Sequence, residues 1–540
     1  MSITLLYHST DLTAASIVRC GLLRSFSAAQ VNDCKFDHFE NTTNSPSQIY
    51  VLINPTELDR RVFSTLARQG RKIIVFGTLE AQFASEIGLE VTPLDAQAAQ
   101  WGKVISSPDQ QFQASQASIV YQTDHALTKT VSLRNRPLSR YDFTDEWNTF
   151  GFGKITTDGS CWSLCQQVSS QQVSATQAQA IAHITDTSGQ PVNLYAAIAD
   201  STDSATLWFN RSVGPIDSLE WNIVETFCSQ YRADTLACIP YLSEIPVGYS
   251  GTATMRLDCD QAIATARPLF EQYQALGMPL SLAIVTGLPP QPQDLAFIKD
   301  VLAHGGAIVS HSCTHPPNWG ENETEAFKEA QQSKAWLEEH IPEIKPVHYA
   351  VSPFHQNPPY AVSALAKAGY LGFVGGIIHN DPEYLMARSG QVPFCQQPMI
   401  SHSQQCMLHG DCFHQYGNSM TPYCNSFQQH LKAGYLFGYL DHPFSSTYQY
   451  GWETETERIS AHTELLTYIH SHENIWTPNL VQALDFVRKR SLAQIDIDQT
   501  QSLRVQWAPT SAPLQETPQV QASWRGKMIP LLLSTSFSLH

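Results

Sequence analysis

Three short stretches of this 540-residue chain end in residues able to hold and use a metal ion. The first is Arg256-Leu257-Asp258-Cys259-Asp260, at the end of the strand-like run 253–257. In extended backbone, residues two apart share a face, so both carboxylates can point into one cavity, one to ligate a cation and the other to stay free as a base. The second is Ser310-His311-Ser312-Cys313-Thr314-His315-Pro316, directly after the apolar run 307–309. Histidines four apart on one side of a helical turn can grip one ion. With one carboxylate they form a set that leaves coordination positions open for water and substrate. The third is Tyr439-Leu440-Asp441-His442-Pro443-Phe444, again closing an apolar strand. A histidine across the ion from a base suits protonation of a leaving amine or alkoxide, because the imidazole pKa lies near neutrality. Each motif alone has an ordinary alternative, a solvated strand-end carboxylate or a hydrogen-bonded core histidine. Their coincidence at the ends of three strands favours a single-metal hydrolase.

The elements that must position these residues alternate in type from about 248 to 490. Candidate strands are 253–257, 280–285, 307–310, 347–351, 371–375, 435–440 and 474–476, and candidate helices are 262–276, 294–304, 323–340, 359–367 and 457–471. This predicts a distorted (β/α) barrel with its chemistry at the C-terminal ends of the strands. Pro268 is expected to kink the first helix. Residues 1–150 repeat the rhythm, with apolar runs at 3–7, 49–53 and 72–77 and helical patterns at 56–69 and 79–86. They are expected to form an accessory α/β domain of flavodoxin-like or amidotransferase-like type, without phosphate loop, GxGxxG or nucleophile elbow. Residues 151–247 are expected to be β-rich. A helix closes them, with Leu219, Ile223, Phe227 and Tyr231 recurring every four residues and Asp217 or Ser218 as its cap. A small β-rich region is expected over 491–540.

The formal charge of −17, with 32 basic against 49 acidic residues, excludes a nucleic-acid or anionic-membrane partner. The apolar stretch 3–7 has no basic residues before it and is shorter than the roughly 7 to 15 residues of a signal-peptide core, so a cytoplasmic location is expected. The apolar run 528–533 falls far short of the roughly 18 to 20 residues of a membrane span, and no membrane anchor is expected. Twelve cysteines in a chain this long read as free thiols. Cys395, Cys406, Cys412 and Cys424, interspersed with His402, His409, Asp411 and His414, match no zinc-knuckle spacing. That segment is expected to be a long lid, cross-linked if the protein reaches an oxidising compartment.

The order Asp-x-Asp, His-Ser-x-Thr-His-Pro, Leu-x-His-Pro resembles carbohydrate esterase family four, the polysaccharide deacetylases with the NodB-homology barrel. The spaced Asp258-Cys259-Asp260 is similar to the form in exopolysaccharide deacetylases such as those of the Pel system. The resemblance covers about 248–490. It implies that Asp258 is the base, that Asp260, His311 and His315 hold the metal, and that His442 is the acid. It implies Zn2+, with other divalent transition metals able to substitute, and hydrolysis of the N-acetyl group of an acetamido sugar in an oligo- or polysaccharide. The implied partners are the acetylated glycan and other polysaccharide-biosynthesis proteins. The family's third motif corresponds loosely to Ser352-Pro353-Phe354-His355, which places Pro353 and a backbone N–H near Phe354 at the oxyanion; its arginine is missing, and Arg388 is the candidate substitute. The fourth motif, an Asp/Trp cluster that orients the acid, has no counterpart near 372–381. Tyr448 and Trp452 are candidate rings for stacking on a sugar, with loop packing as their alternative role. Two rival readings stand beside this one. One is an O-deacetylase or a deacylase of a non-sugar amide. The other is an inactive glycan-binding or assembly subunit, which the missing arginine supports.

Overall fold

The computed structural model describes residues 1–39, 47–96, 117–128, 136–137, 164–168, 178–215, 218–289, 291–375, 388–392, 395–403, 406–498, 502–510, 512, 514, 516–532 and 537–538. Asp217 and the stretch 376–381, where a helix cap and the fourth motif were sought, lie outside them.

Strands covered on both faces must be apolar at nearly every position, and the N-terminal runs meet that requirement. Ser2–Tyr7, Ser47–Ile53 and Lys72–Phe76 pair in parallel, with Val31–Lys35 on one side and Ala205–Phe209 on the other. Pro191–Asp200, Ala178–Asp186, Ala117–Tyr121 and Arg136–Pro137 continue the sheet antiparallel. Among the described residues one nine-stranded sheet therefore runs across position 150. Ile3, Leu5, Val51 and Ile74 face the helices Leu12–Ser25 and Ser218–Ser229, while Leu6, Leu52, Ile73 and Val75 face Phe63, Leu66 and Phe83.

The second sheet has the order Gly390–Gln391, Ile400–Ser403, Gly372–Gly375, Tyr349–Val351, Ala307–Ser310, Ser281–Ile284, Gly251–Cys259, Leu436–Asp441, Cys406–Met407, with Ile475–Trp476 beside the start of Gly251–Cys259. All but Gly390–Gln391 run parallel. This parallel sheet with helices on its outer face is consistent with the expected (β/α) barrel-like domain; among the described residues no ladder joins its two ends. Helix Leu480–Ser491, absent from the expected elements, packs on this sheet. Its Leu480, Leu484 and Val487 pack on the inward Ala283, Val309 and Val351. The helices Arg267–Ala275, Pro292–Ala303, Glu323–His340, Pro359–Lys367 and Glu455–His470 occupy the expected places. Pro268 does not kink a long helix. It lies in the first turn of Arg267–Ala275, where a missing N–H costs nothing.

The expected lid is not one. Residues 395–424 contribute the strands Ile400–Ser403 and Cys406–Met407 and the helix Gly410–Gln415, and lead into helix Thr421–Ala433. All four cysteines there are free thiols, and Cys406 and Cys412 are buried in the core. Toward the C-terminus, Ala493–Ile497 and Ser502–Trp507 form a hairpin, and Gln521–Trp524 pairs with Tyr241–Leu242.

A buried polar network joins the two large sheets. Arg388 donates two hydrogen bonds to Glu225 of helix Ser218–Ser229, and both side chains are fully buried. Arg24 of helix Leu12–Ser25 donates to the carbonyls of Arg388 and Gln391 at 2.7 Å and to Ser401 Oγ at 2.8 Å. Glu244 accepts from the backbone N–H groups of Ser389 and Leu436, with Arg490 at 3.2 Å. No helix among the described residues is long and apolar enough to cross a membrane.

Candidate active site

Strand Gly251–Cys259 and the residue that follows it carry the first group of site residues. Arg256, Asp258 and Asp260 follow each other at intervals of two and face the same way, as the pleat dictates. Arg256 Nε donates to Asp258 Oδ1 at 2.5 Å and Nη2 to Oδ2 at 2.9 Å, with both side chains buried. Burial opposes the Asp258 charge, but the Arg256 guanidinium and His311 outweigh it and hold the carboxyl well below the usual carboxylate range. The guanidinium sought in Arg388 is thus supplied by Arg256, two residues before the carboxylate. Arg388 is committed to Glu225 and lies between the rings of Tyr435 and Tyr241.

The second group follows strand Ala307–Ser310. His311 and His315 converge through an irregular turn rather than the helical turn expected from their spacing, with Ser312 at φ 66° and His315 at φ 57°. Four hydrogen bonds fix the turn: Glu329 accepts from the backbone N–H of Cys313 and Thr314 and from Thr314 Oγ1, and Ser312 Oγ accepts from His315 N. His311 Nδ1 donates to the Val351 carbonyl at 3.1 Å, which leaves Nε2 with its lone pair toward the cavity.

Asp260 Oδ1 lies 3.4 Å from His311 Nε2 and 3.7 Å from His315 Nε2, and the two imidazole nitrogens are 3.1 Å apart. Ligands on a tetrahedral zinc ion stand roughly 3.3 Å from one another. Asp260 Oδ1 is buried and accepts no hydrogen bond. Two imidazoles, one carboxylate and a buried acceptor atom without a donor are a donor set that fits a divalent transition metal. Asp260 is held well below the usual carboxylate range, burial being outweighed by His311, His442 and His315. Burial and the neighbouring His311 push His315 down to about 4.

His442 follows strand Leu436–Asp441. Its Nε2 lies 3.7 Å from Asp260 Oδ2, and its Nδ1 lies 2.7 Å from His409 Nε2. Tyr450 stacks on the His442 ring at 3.8 Å and donates from its hydroxyl to Asp260 Oδ2 at 2.9 Å. Asp260 is therefore divided, with one oxygen engaged by Tyr450 and the other facing the two histidines. Burial and the adjacent His409 push His442 down to about 4. His409, Asp441 and His442 form a second cluster of possible ligands. Its carboxylate is already satisfied, because Asp441 accepts from Arg458 Nε, His462 Nε2, His442 N and Trp452 Nε1. That cluster is a hydrogen-bond node. Sequence reasoning missed Arg256, His409 and Tyr450; only Arg256 had a local signal, the interval of two.

Of the remaining expected residues, Pro353 is buried in the turn Pro353–His355, and the Phe354 ring lies 4.7 Å from that of His315. Phe354 adopts a φ of 50°. Tyr448 is 48% exposed and packs edge-on against Tyr450. Trp452 is 3% exposed and bonded to Asp441, so its ring is not free to stack on a sugar.

His402, in strand Ile400–Ser403, bonds Ser389 Oγ through Nδ1, while its Nε2 is buried without a partner. Burial lowers its pKa from 6.5 to about 3. Between those values the unfolded chain binds a proton that the native chain refuses, so stability falls as pH drops. At about 1.4 kcal/mol per pH unit, His402 alone costs about 2 kcal/mol at pH 5, and His355 and His409, both lowered by burial, act in the same direction. Urea unfolding is expected to have a clearly lower midpoint at pH 5 than at pH 7.5; equal midpoints would contradict this reading of the buried histidines.

No family model matches the chain, and no curated protein matches it. Among solved structures it is similar to the carbohydrate deacetylase Agd3, at 10% identity over 100% of this chain and 99% of that one, with a TM-score of 0.42. It is similar to a family 4 carbohydrate esterase from Streptomyces lividans, solved in complex with acetate, at 10% identity over 44% of this chain and 96% of that one, with a TM-score of 0.29. A third is the peptidoglycan deacetylase PdaC from Bacillus subtilis, at 10% identity over 44% of this chain and 93% of that one, with a TM-score of 0.29. Scores this low add nothing to what the site's own geometry supports.

Proposed function

We propose that this protein is a metal-dependent deacetylase that hydrolyses the N-acetyl group of an acetamido sugar within an oligo- or polysaccharide. The observation that carries the reading is the convergence of Asp260, His311 and His315 at 3.1 to 3.7 Å, flanked by Asp258 and His442. Asp260, His311 and His315 would hold the ion, zinc being the best match to two imidazoles and a carboxylate. When bound, such an ion polarises the acyl carbonyl and makes water acidic enough to attack at neutral pH. Asp258, kept ionised by Arg256, accepts the proton of the attacking water. A backbone N–H near Phe354, whose ring lies 4.7 Å from that of His315, would donate to the developing oxyanion. His442 protonates the departing amine through Nε2, the nitrogen on the Asp260 side. Tyr448, exposed beside Tyr450, offers a ring to a sugar face.

The inactive-subunit reading drew its support from the missing third-motif arginine, and Arg256 removes that support by meeting both oxygens of Asp258. Acetate release from a panel of N-acetylated and O-acetylated oligosaccharides tests the proposal. Release from the N-acetylated glycans, abolished by chelator and restored by zinc, is expected. Release from O-acetyl esters alone would replace the amide by the ester, and no release from any substrate would remove the assignment.

A further inference from the structure

We propose that His409 is the positioning residue of the acid, fixing the tautomer and aim of His442. The inference rests on the deacetylase reading. An imidazolium that delivers its Nε2 proton keeps the proton on Nδ1, so that nitrogen needs an acceptor. The group at His442 Nδ1 is His409 Nε2, at 2.7 Å. The nearest carboxylate in sequence, Asp441, does not serve there. It accepts from the backbone N–H of His442, not from its ring, and its other donors are Arg458, His462 and Trp452.

The backbone around His409 is built to hold this contact. His409 is 2% exposed and precedes helix Gly410–Gln415. Gly410 N donates to Tyr450 O at 2.9 Å, and a Cβ on Gly410 would meet Gly451 C and Trp452 N at 2.2 Å. Gly451, at φ 77°, presses equally closely on Asp411 N. Only glycine fits on either side of that crossing. The crossing ties the loop of His409 to the loop of Tyr450. His442 is thus clamped from two directions, by His409 along its edge and by Tyr450 across its face at 3.8 Å with rings 14° apart. The acid is oriented by a neutral acceptor rather than by a carboxylate, and that acceptor comes from the stretch between Cys406 and Cys412.

The test compares His409→Leu, His409→Asn and His409→Gln in the zinc-loaded full-length protein, measuring kcat, KM and zinc per chain. A glutamine places its amide oxygen near the position of imidazole Nε2, whereas asparagine is too short to reach. His409→Leu and His409→Asn are expected to lower kcat about 10²-fold with KM and zinc content unchanged, and His409→Gln to recover kcat to within about tenfold of the wild type. The inference is overturned if the leucine and asparagine variants turn over at the wild-type rate, if they lose zinc or KM together with kcat, or if glutamine rescues no better than asparagine. Wild-type protein that releases no acetate overturns the deacetylase reading and this inference together. An active wild type with an indifferent His409 overturns this inference alone.

Discussion

Replacing Asp258 by asparagine is expected to lower kcat on the order of 10² to 10⁴-fold while zinc per chain stays at the wild-type value. Asparagine keeps the shape of the side chain and one oxygen for Arg256, but it cannot take a proton. The three atoms placed to hold the ion belong to Asp260, His311 and His315, so the ion's site survives the change. His311→Ala is the contrasting variant and is expected to lose zinc and turnover together, since it removes one of those three atoms. Asp258 Oδ2 is 3.9 Å from His311 Nε2, close enough to serve the reaction and committed on both oxygens to Arg256. Loss of zinc from Asp258→Asn would show that this carboxylate is a ligand and not the base.

The second large effect is on stability and arises from residues outside the metal-binding cluster. Glu225→Ala is expected to cost about 3 to 5 kcal/mol, the usual penalty for leaving a buried partner charge alone. Arg388 would be that charge, enclosed with no exposure between two tyrosine rings. Glu225 also accepts from Ser25 Oγ at 2.5 Å, so the same change loosens helix Leu12–Ser25. The paired replacement Glu225→Leu with Arg388→Met is expected to cost much less, because an apolar pair leaves no orphaned charge. Urea unfolding followed by circular dichroism measures both variants. A Glu225→Ala protein within about 0.5 kcal/mol of the wild type would mean that the two large sheets do not depend on this contact.

The interval of two along Gly251–Cys259 made Asp258 and Asp260 legible in the sequence, and the same rule carries Arg256 with them. Arg388 was expected to replace the missing third-motif arginine from elsewhere in the chain; its actual partner, Glu225 of helix Ser218–Ser229, leaves no local trace in the sequence. The histidine spacing pointed to the right pair of residues through the wrong local geometry. Two positive φ values, at Ser312 and His315, do what a helical turn was expected to do. Helix Leu12–Ser25 was invisible because it is covered on most sides. Ala14, Ile17, Val18, Leu22 and Arg24 are all buried, and a helix apolar all round shows no 3.6-residue stripe. Leu480–Ser491, by contrast, carries a stripe at Leu480, Leu484 and Val487 among polar Gln482, Asp485, Arg488 and Lys489, so its periodicity was legible in the sequence. His409 and His442 stand 33 residues apart, and their contact depends on two loops meeting at Gly410 and Gly451.

Anomalous diffraction at the zinc absorption edge, from crystals grown with zinc, measures the central claim directly. One peak is expected about 2.0 to 2.2 Å from Asp260 Oδ1, His311 Nε2 and His315 Nε2, with the Asp258 carboxylate outside coordination distance and still paired with Arg256. A map without a peak there, or a peak coordinated by Asp258, would contradict the account.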